Sequence, residues 1–153
     1  MKPVFTTITL LICIQLFACC NKNSAITSNP GNVLNTDSMK LKITIGANAL
    51  TATLYNNPTA TAFKAKLPMT INMSELNGNE KYFDLPNSLP ANASNPGTIR
   101  AGDLMLYGAN TLVLFYKSFS TPYNYTRIAR IDNPSGLAAA LGSENITVKF
   151  ELE

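Results

Sequence analysis

The side chains of this sequence that could do chemistry fall into two groups, far apart in the chain. Cysteine is one: Cys13, Cys19 and Cys20 are the only three, all within the first twenty residues. Arginine is the other: Arg100, Arg127 and Arg130 all lie within residues 97–131. Arg100 with Asp103 close behind it would set a fixed cation beside a carboxylate at a groove; the competing reading is a rim ion pair. Arg127 and Arg130 are an odd number of positions apart, which on a regular strand puts them on opposite faces and argues for structural roles. Met69, Met73, Met105 and Tyr107 could line a peptide groove, since methionine adapts its shape; the same residues also suit an apolar core. Glu75, Glu80 and Asp84 form a loose acidic group and read as solvated.

Much chemistry is excluded. The chain has no histidine, so a Ser-His-Asp triad, a Cys-His pair and a His-ligated metal site are out of reach. No Gly-rich phosphate loop, Gly-x-Ser-x-Gly elbow or Cys/His cluster occurs, and no cofactor or metal is implied. A formal charge of +3 over 153 residues is too weak and too scattered for a nucleic-acid surface. With 46% hydrophobic and 14% charged residues, the chain can bury a core and suits one domain.

The cysteines read as an address. Lys2 gives a positive start, and residues 4–17 form an apolar run of signal-peptide length. The run ends in Leu16-Phe17-Ala18-Cys19, which resembles a bacterial lipoprotein box. That resemblance implies cleavage after residue 18 and lipidation of Cys19, with several acyl chains giving a stable anchor. Cys20 fits less well, because Cys19 would precede it. An ordinary cleaved signal is the alternative, and it too exports the protein. Residues 19–39 are polar and aperiodic and read as a flexible tether. No Asp follows Cys19, so the expected place is the outer membrane, facing the periplasm.

Residues 40–153 must then position everything else. Alternation in residues 40–45 predicts a half-buried strand, and residues 50–54 the other arm of a hairpin. Asn57-Pro58 predicts a capped helix with Ala60, Phe63 and Leu67 on one face, stopped by Pro68. Further strands are expected at 69–73, 80–83, 98–100, 103–107, 111–116 and 125–131. Residues 84–97, with three prolines, and residues 117–124 read as loops. Asn133-Pro134 repeats the capping device ahead of a helix at 135–141 that Gly142 closes. Residues 145–153 end the domain as a strand with Ile146, Val148, Phe150 and Leu152 inward. The fold class is mainly β: a closed barrel of about eight strands with two short helices.

That order of elements resembles the cyclophilin-like fold, and the chain is similar to the bacterial cyclophilin-like domain family. Residues 51–63, 76–86, 97–117 and 126–141 carry the resemblance, which spans residues 40–153. True cyclophilins place a catalytic arginine on the strand after the first helix, in a Phe-His-Arg context. Here that strand reads Met69-Thr70-Ile71-Asn72-Met73, with no Arg, Lys or His. By the resemblance, Tyr125 falls near the position of a pocket histidine, and the aromatic of the Gln-Phe-Phe segment aligns at Leu114 or Phe115.

The resemblance therefore implies a lipid-anchored, non-catalytic module that binds a peptide, a protein or a small ligand in a groove near the Pro-rich loop. Arg100, Phe115, Tyr125, Met73 and Tyr107 are the candidate ligand-binding residues. The alternative is a divergent peptidyl-prolyl isomerase that uses Arg100 or no arginine. A third reading, an accessory domain to a flavoprotein, rests on analogy to relatives found beside flavodoxin-like domains. The expected partners are a peptide or protein and, through the anchor, a membrane.

Overall fold

The computed structural model describes residues 39–153. The leader, Cys19 and nearly all of the tether lie outside the described residues. In chain order the elements are β1 Lys40–Ile45, β2 Asn48–Leu54, α1 Pro58–Lys64, β3 Met69–Leu76, β4 Glu80–Asp84, β5 Thr98–Ile99, β6 Asp103–Tyr107, β7 Thr111–Phe115, β8 Phe119–Ser120, β9 Thr126–Ile131, α2 Leu137–Leu141 and β10 Ile146–Leu152. Eight strands close into an antiparallel barrel in the order β1-β10-β3-β4-β7-β6-β9-β2, while β5 and β8 pair as a separate ribbon. Closure leaves the eight strands without an open edge, so no row of backbone donors and acceptors is left unpaired.

The inward pattern follows from alternation. Leu41, Ile43 and Ile45 of β1, Val148 and Phe150 of β10, and Ile71 and Met73 of β3 fill the barrel. Leu152, expected inward, is exposed; it lies beyond the last β10–β3 pair, Phe150 with Met69, and so has a neighbouring strand on one side only. Helix α1 packs its buried face against the barrel. Asn57 Oδ1 accepts from the Ala60 N–H at 2.8 Å, and Pro58 occupies the first turn. Asn57 Nδ2 also donates to the Arg127 carbonyl at 2.9 Å, tying the helix start to β9. From the helix, Phe63 meets Phe150 edge-on, with centroids 5.8 Å apart, a favoured aromatic geometry.

Asn133-Pro134 behaves differently from Asn57-Pro58. Asn133 Oδ1 accepts from the Ser135 N–H, closing an Asx turn, and α2 begins only at Leu137 with no side-chain cap. The same dipeptide thus makes a turn where no helical residue follows directly.

Strands β6 and β7 are apolar on both faces, and the ribbon explains it. Leu104, Leu106, Leu112 and Leu114 point into the barrel. Met105, Val113 and Phe115 point out, where Ile99 of β5, Tyr125 and the half-buried Phe119 of β8 cover them as a second apolar cluster. A strand buried on both faces reads as a continuous apolar run rather than an alternating one. Residues 117–124, expected as a plain loop, thus contain the strand β8 that makes half of this cover. Gly102 lets the turn before β6 lie close against the end of β9 and Pro134. Its φ is +91°, and a Cβ there would sit 3.1 Å from the Ile131 Cβ.

Candidate functional site

The cover over the outer face of β4, β7 and β6 is incomplete, and its open part is a cleft of about 470 Å³. The strands present Glu80, Tyr82, Tyr107 and Val113 to it, while residues 119–125 form the opposite wall. Aromatic rings run along it in sequence. Tyr123 meets Tyr107 at 6.2 Å, Tyr107 meets Tyr125 at 5.5 Å, Tyr125 meets Phe115 at 5.5 Å and Phe115 meets Phe119 at 5.7 Å. Tyr107 and Tyr123 are large apolar surfaces left open, 47% and 59% exposed. Exposed aromatic area of this kind, lying over a buried apolar floor, is the usual mark of a binding cleft. Tyr125 is fixed by a two-way backbone bridge to Ser94, with both N–H to carbonyl distances 3.0 Å.

The charged groups of the cleft are carboxylates. Glu80 and Asp84 both line it, and among the described residues no lysine or arginine does. Asp84 Oδ1 accepts from the Thr111 hydroxyl at 2.6 Å. Asn79 Oδ1 is buried with no hydrogen-bond partner among the described residues. Burial, aided by the nearby Glu75 charge, pushes the Glu80 carboxyl above the ordinary range. Burial also raises the Tyr125 hydroxyl, with the Glu80 charge adding to it.

The five candidate residues from the sequence fall in three places. Tyr107 and Tyr125 line the cleft, and Phe115 forms its buried floor between Tyr125 and Phe119. Met73 is fully buried inside the barrel and offers no atom to the cleft. Arg100 is exposed and opens on a different groove with Ser118 and Arg130. Asp103 is not its side-chain partner. Asp103 Oδ2 accepts from the Arg100 backbone N–H at 2.8 Å, and its Oδ1 lies 3.3 Å from Arg130 Nη2. Burial pushes the Asp103 carboxyl up despite that backbone bond and the nearby guanidinium groups. The cleft also lies apart from most of the Pro-rich loop, whose residues Pro90, Ala91 and Asn92 line a second hollow of about 320 Å³ beside the start of α1.

Two sequence readings need correction. Arg127 and Arg130 share a face. The register of β6 against β9 shifts between Leu104 and Met105, so Asp103 faces Arg130 and Met105 faces Arg127, with Ile128 the extra residue. A β-bulge resets the alternation, and no residue in the sequence marks it. The acidic group is not simply solvated either. Glu75 binds Lys81, which is fully buried at 0% exposure. Lys81 Nζ also donates to the carbonyls of Gly142 at 3.0 Å and Glu144 at 2.7 Å, and sits 5.6 Å from the Tyr116 ring centre. Tyr116 donates to Glu75 at 2.9 Å. Burial and the Glu75 carboxylate push the Tyr116 hydroxyl to about 12. At Glu75 burial works upward, but the bonds from Lys81, Tyr116 and the Gly78 N–H outweigh it, so its pKa is lowered.

Residues 43–151 match the model of the cyclophilin-like family. The chain belongs to that family. Among solved structures it is similar to the solution structure of a hypothetical protein from Archaeoglobus fulgidus. The TM-score is 0.57 at 21% identity, over 76% of this chain and 95% of that one. At that identity the likeness speaks to the fold. No curated protein matches the chain.

Proposed function

We propose that this cyclophilin-like chain is an exported, lipid-anchored binding module, held at the membrane through Cys19, that takes its ligand in the aromatic cleft. The observation that carries the reading is the cleft itself: aromatic walls, exposed tyrosines and a preformed apolar floor on the outer face of β4, β7 and β6. A non-catalytic role fits the residues present. Rotation about a prolyl amide faces a barrier of roughly 18–20 kcal/mol, and true cyclophilins lower it with a guanidinium beside an apolar pocket. Strand β3 carries no basic residue, and Arg100 opens on another groove.

The test is NMR on the full chain titrated with a mixed set of Xaa-Pro peptides, recording shift changes and cis/trans exchange together. Saturable shifts at Tyr107 and Tyr125 without faster exchange are expected. Accelerated exchange would instead make the chain an isomerase and end the non-catalytic reading. Lipidation is tested separately, by mass spectrometry of membrane-extracted protein. A modified Cys19 at the N-terminus is expected; an unmodified N-terminus beyond Cys20 would refute the anchor.

A further inference from the structure

The chain carries its own example of how it holds an ammonium group. Lys81 is gripped by the Glu75 carboxylate, by two backbone carbonyls and by the Tyr116 ring. Carboxylate, carbonyl oxygen and ring face are the three groups that bind a positively charged nitrogen, through charge, hydrogen bonding and the ring quadrupole. The outer cleft offers two of these three kinds of group. Glu80 and Asp84 supply carboxylates, and Tyr107, Tyr123 and Tyr125 supply rings. Glu80 differs from Glu75 in one respect: it forms no ion pair with any described lysine or arginine.

We propose that the ligand of this cleft is a small organic ammonium compound, a charged nitrogen carried on an apolar body, seated among the tyrosines beside Glu80. This inference rests on the binding-module reading and names its ligand class. Three features select it. Among the described residues all formal charge lining the cleft is negative, so an anion is repelled and a cation is drawn in. Several aromatic faces meet in one hollow, the arrangement that favours quaternary and tertiary ammonium groups over strongly hydrated metal ions. A volume of about 470 Å³ lies in the usual range for small-molecule sites.

The experiment is calorimetric titration of the full chain with choline and, separately, with its neutral carbon isostere dimethylbutanol. The two have nearly the same shape and differ in charge. Choline is expected to bind at least about tenfold more tightly. Glu80→Gln should weaken choline about fivefold and leave the isostere unchanged. Tyr107→Leu, at an exposed site whose loss does not threaten folding, should weaken choline about threefold. Equal binding of the two probes overturns the cation and keeps a binding cleft. Silence from both, with Xaa-Pro peptides still shifting Tyr107 and Tyr125, overturns the cation alone. Silence from both and from the peptides overturns the cation and the binding module together.

Discussion

The inner site around Lys81 and the outer cleft around Glu80 use adjacent residues of one strand. On β4, Lys81 points into the barrel end and Glu80 points out, as alternation requires. Inside, the chain supplies both charges. Glu75 and Lys81 neutralise each other, Tyr116 closes over them, and the carbonyls of Gly142 and Glu144 accept from the same ammonium group. Outside, the described residues supply carboxylates and rings but no cation. A satisfied buried network holds a fold together. A carboxylate lifted by burial, facing aromatic rings without an ion-pair partner, is a pattern seen more often at functional sites. The difference separates a structural ion pair from the cleft we propose as a recognition surface.

The sharpest way to break the comparison is Lys81→Met. It leaves Glu75 without its ion pair and two carbonyls without a donor, and breaking a buried pair this way costs about 3–5 kcal/mol. Denaturant unfolding should show the loss. Adding Glu75→Gln should recover part of it, since the two residues form one network. Full additivity of the two changes would contradict the network.

Glu80→Gln should do the opposite. The folded protein raises the Glu80 pKa, so the native state holds this proton more tightly than the unfolded chain does. As pH rises through that window the unfolded state loses its proton first, and stability falls. Glu80→Gln removes that loss, so at neutral pH the variant should be at least as stable as the parent. A clear loss of stability would mean that Glu80 has a structural partner.

The smallest effect is expected at the exposed pair Lys40–Asp132, 2.8 Å apart. Burial pushes the Asp132 carboxyl up, but the bonds from Lys40 and Thr53 outweigh it, and its pKa is lowered. That contribution is present above the ordinary carboxylate pKa and is lost as pH falls through the depressed value. Asp132→Asn should cost less than about 1 kcal/mol, and salt should mask even that. A larger cost would show that surface charge rivals the inner site.

The fold was legible in the sequence where one physical signal dominated. Alternation located β1, β3 and β10, Asn57-Pro58 located α1, and the count of short strands pointed to closure. The expected cyclophilin-like barrel of eight strands with two helices is the one found. The site was legible only in part. Of the residues at the candidate cleft, the sequence points to Tyr107, Phe115 and Tyr125, but it gives no sign of Tyr123 or Tyr82 and reads Glu80 as solvated, because their meeting depends on how residues 117–125 fold back over β6 and β7. That fold-back left one trace: the apolar runs of β6 and β7 are too continuous for strands with a wet outer face. Arg127 and Arg130 were placed on opposite faces because the bulge at Ile128 leaves no residue signal. Lys81 at the centre of a charged network was invisible for a similar reason. Its partners Glu75, Gly142 and Glu144 converge only once the barrel closes.

The central claim is that the outer cleft, and neither the barrel interior nor the Arg100 groove, is where this protein meets its ligand. The most direct measurement maps ring and backbone NMR shifts of the full chain during a choline titration. Shifts are predicted to saturate together at Glu80, Tyr82, Tyr107, Phe115, Tyr123 and Tyr125, with Met73, Arg100 and Arg130 unmoved. Shifts centred on Arg100, Ser118 and Arg130, with the tyrosines silent, would contradict the account.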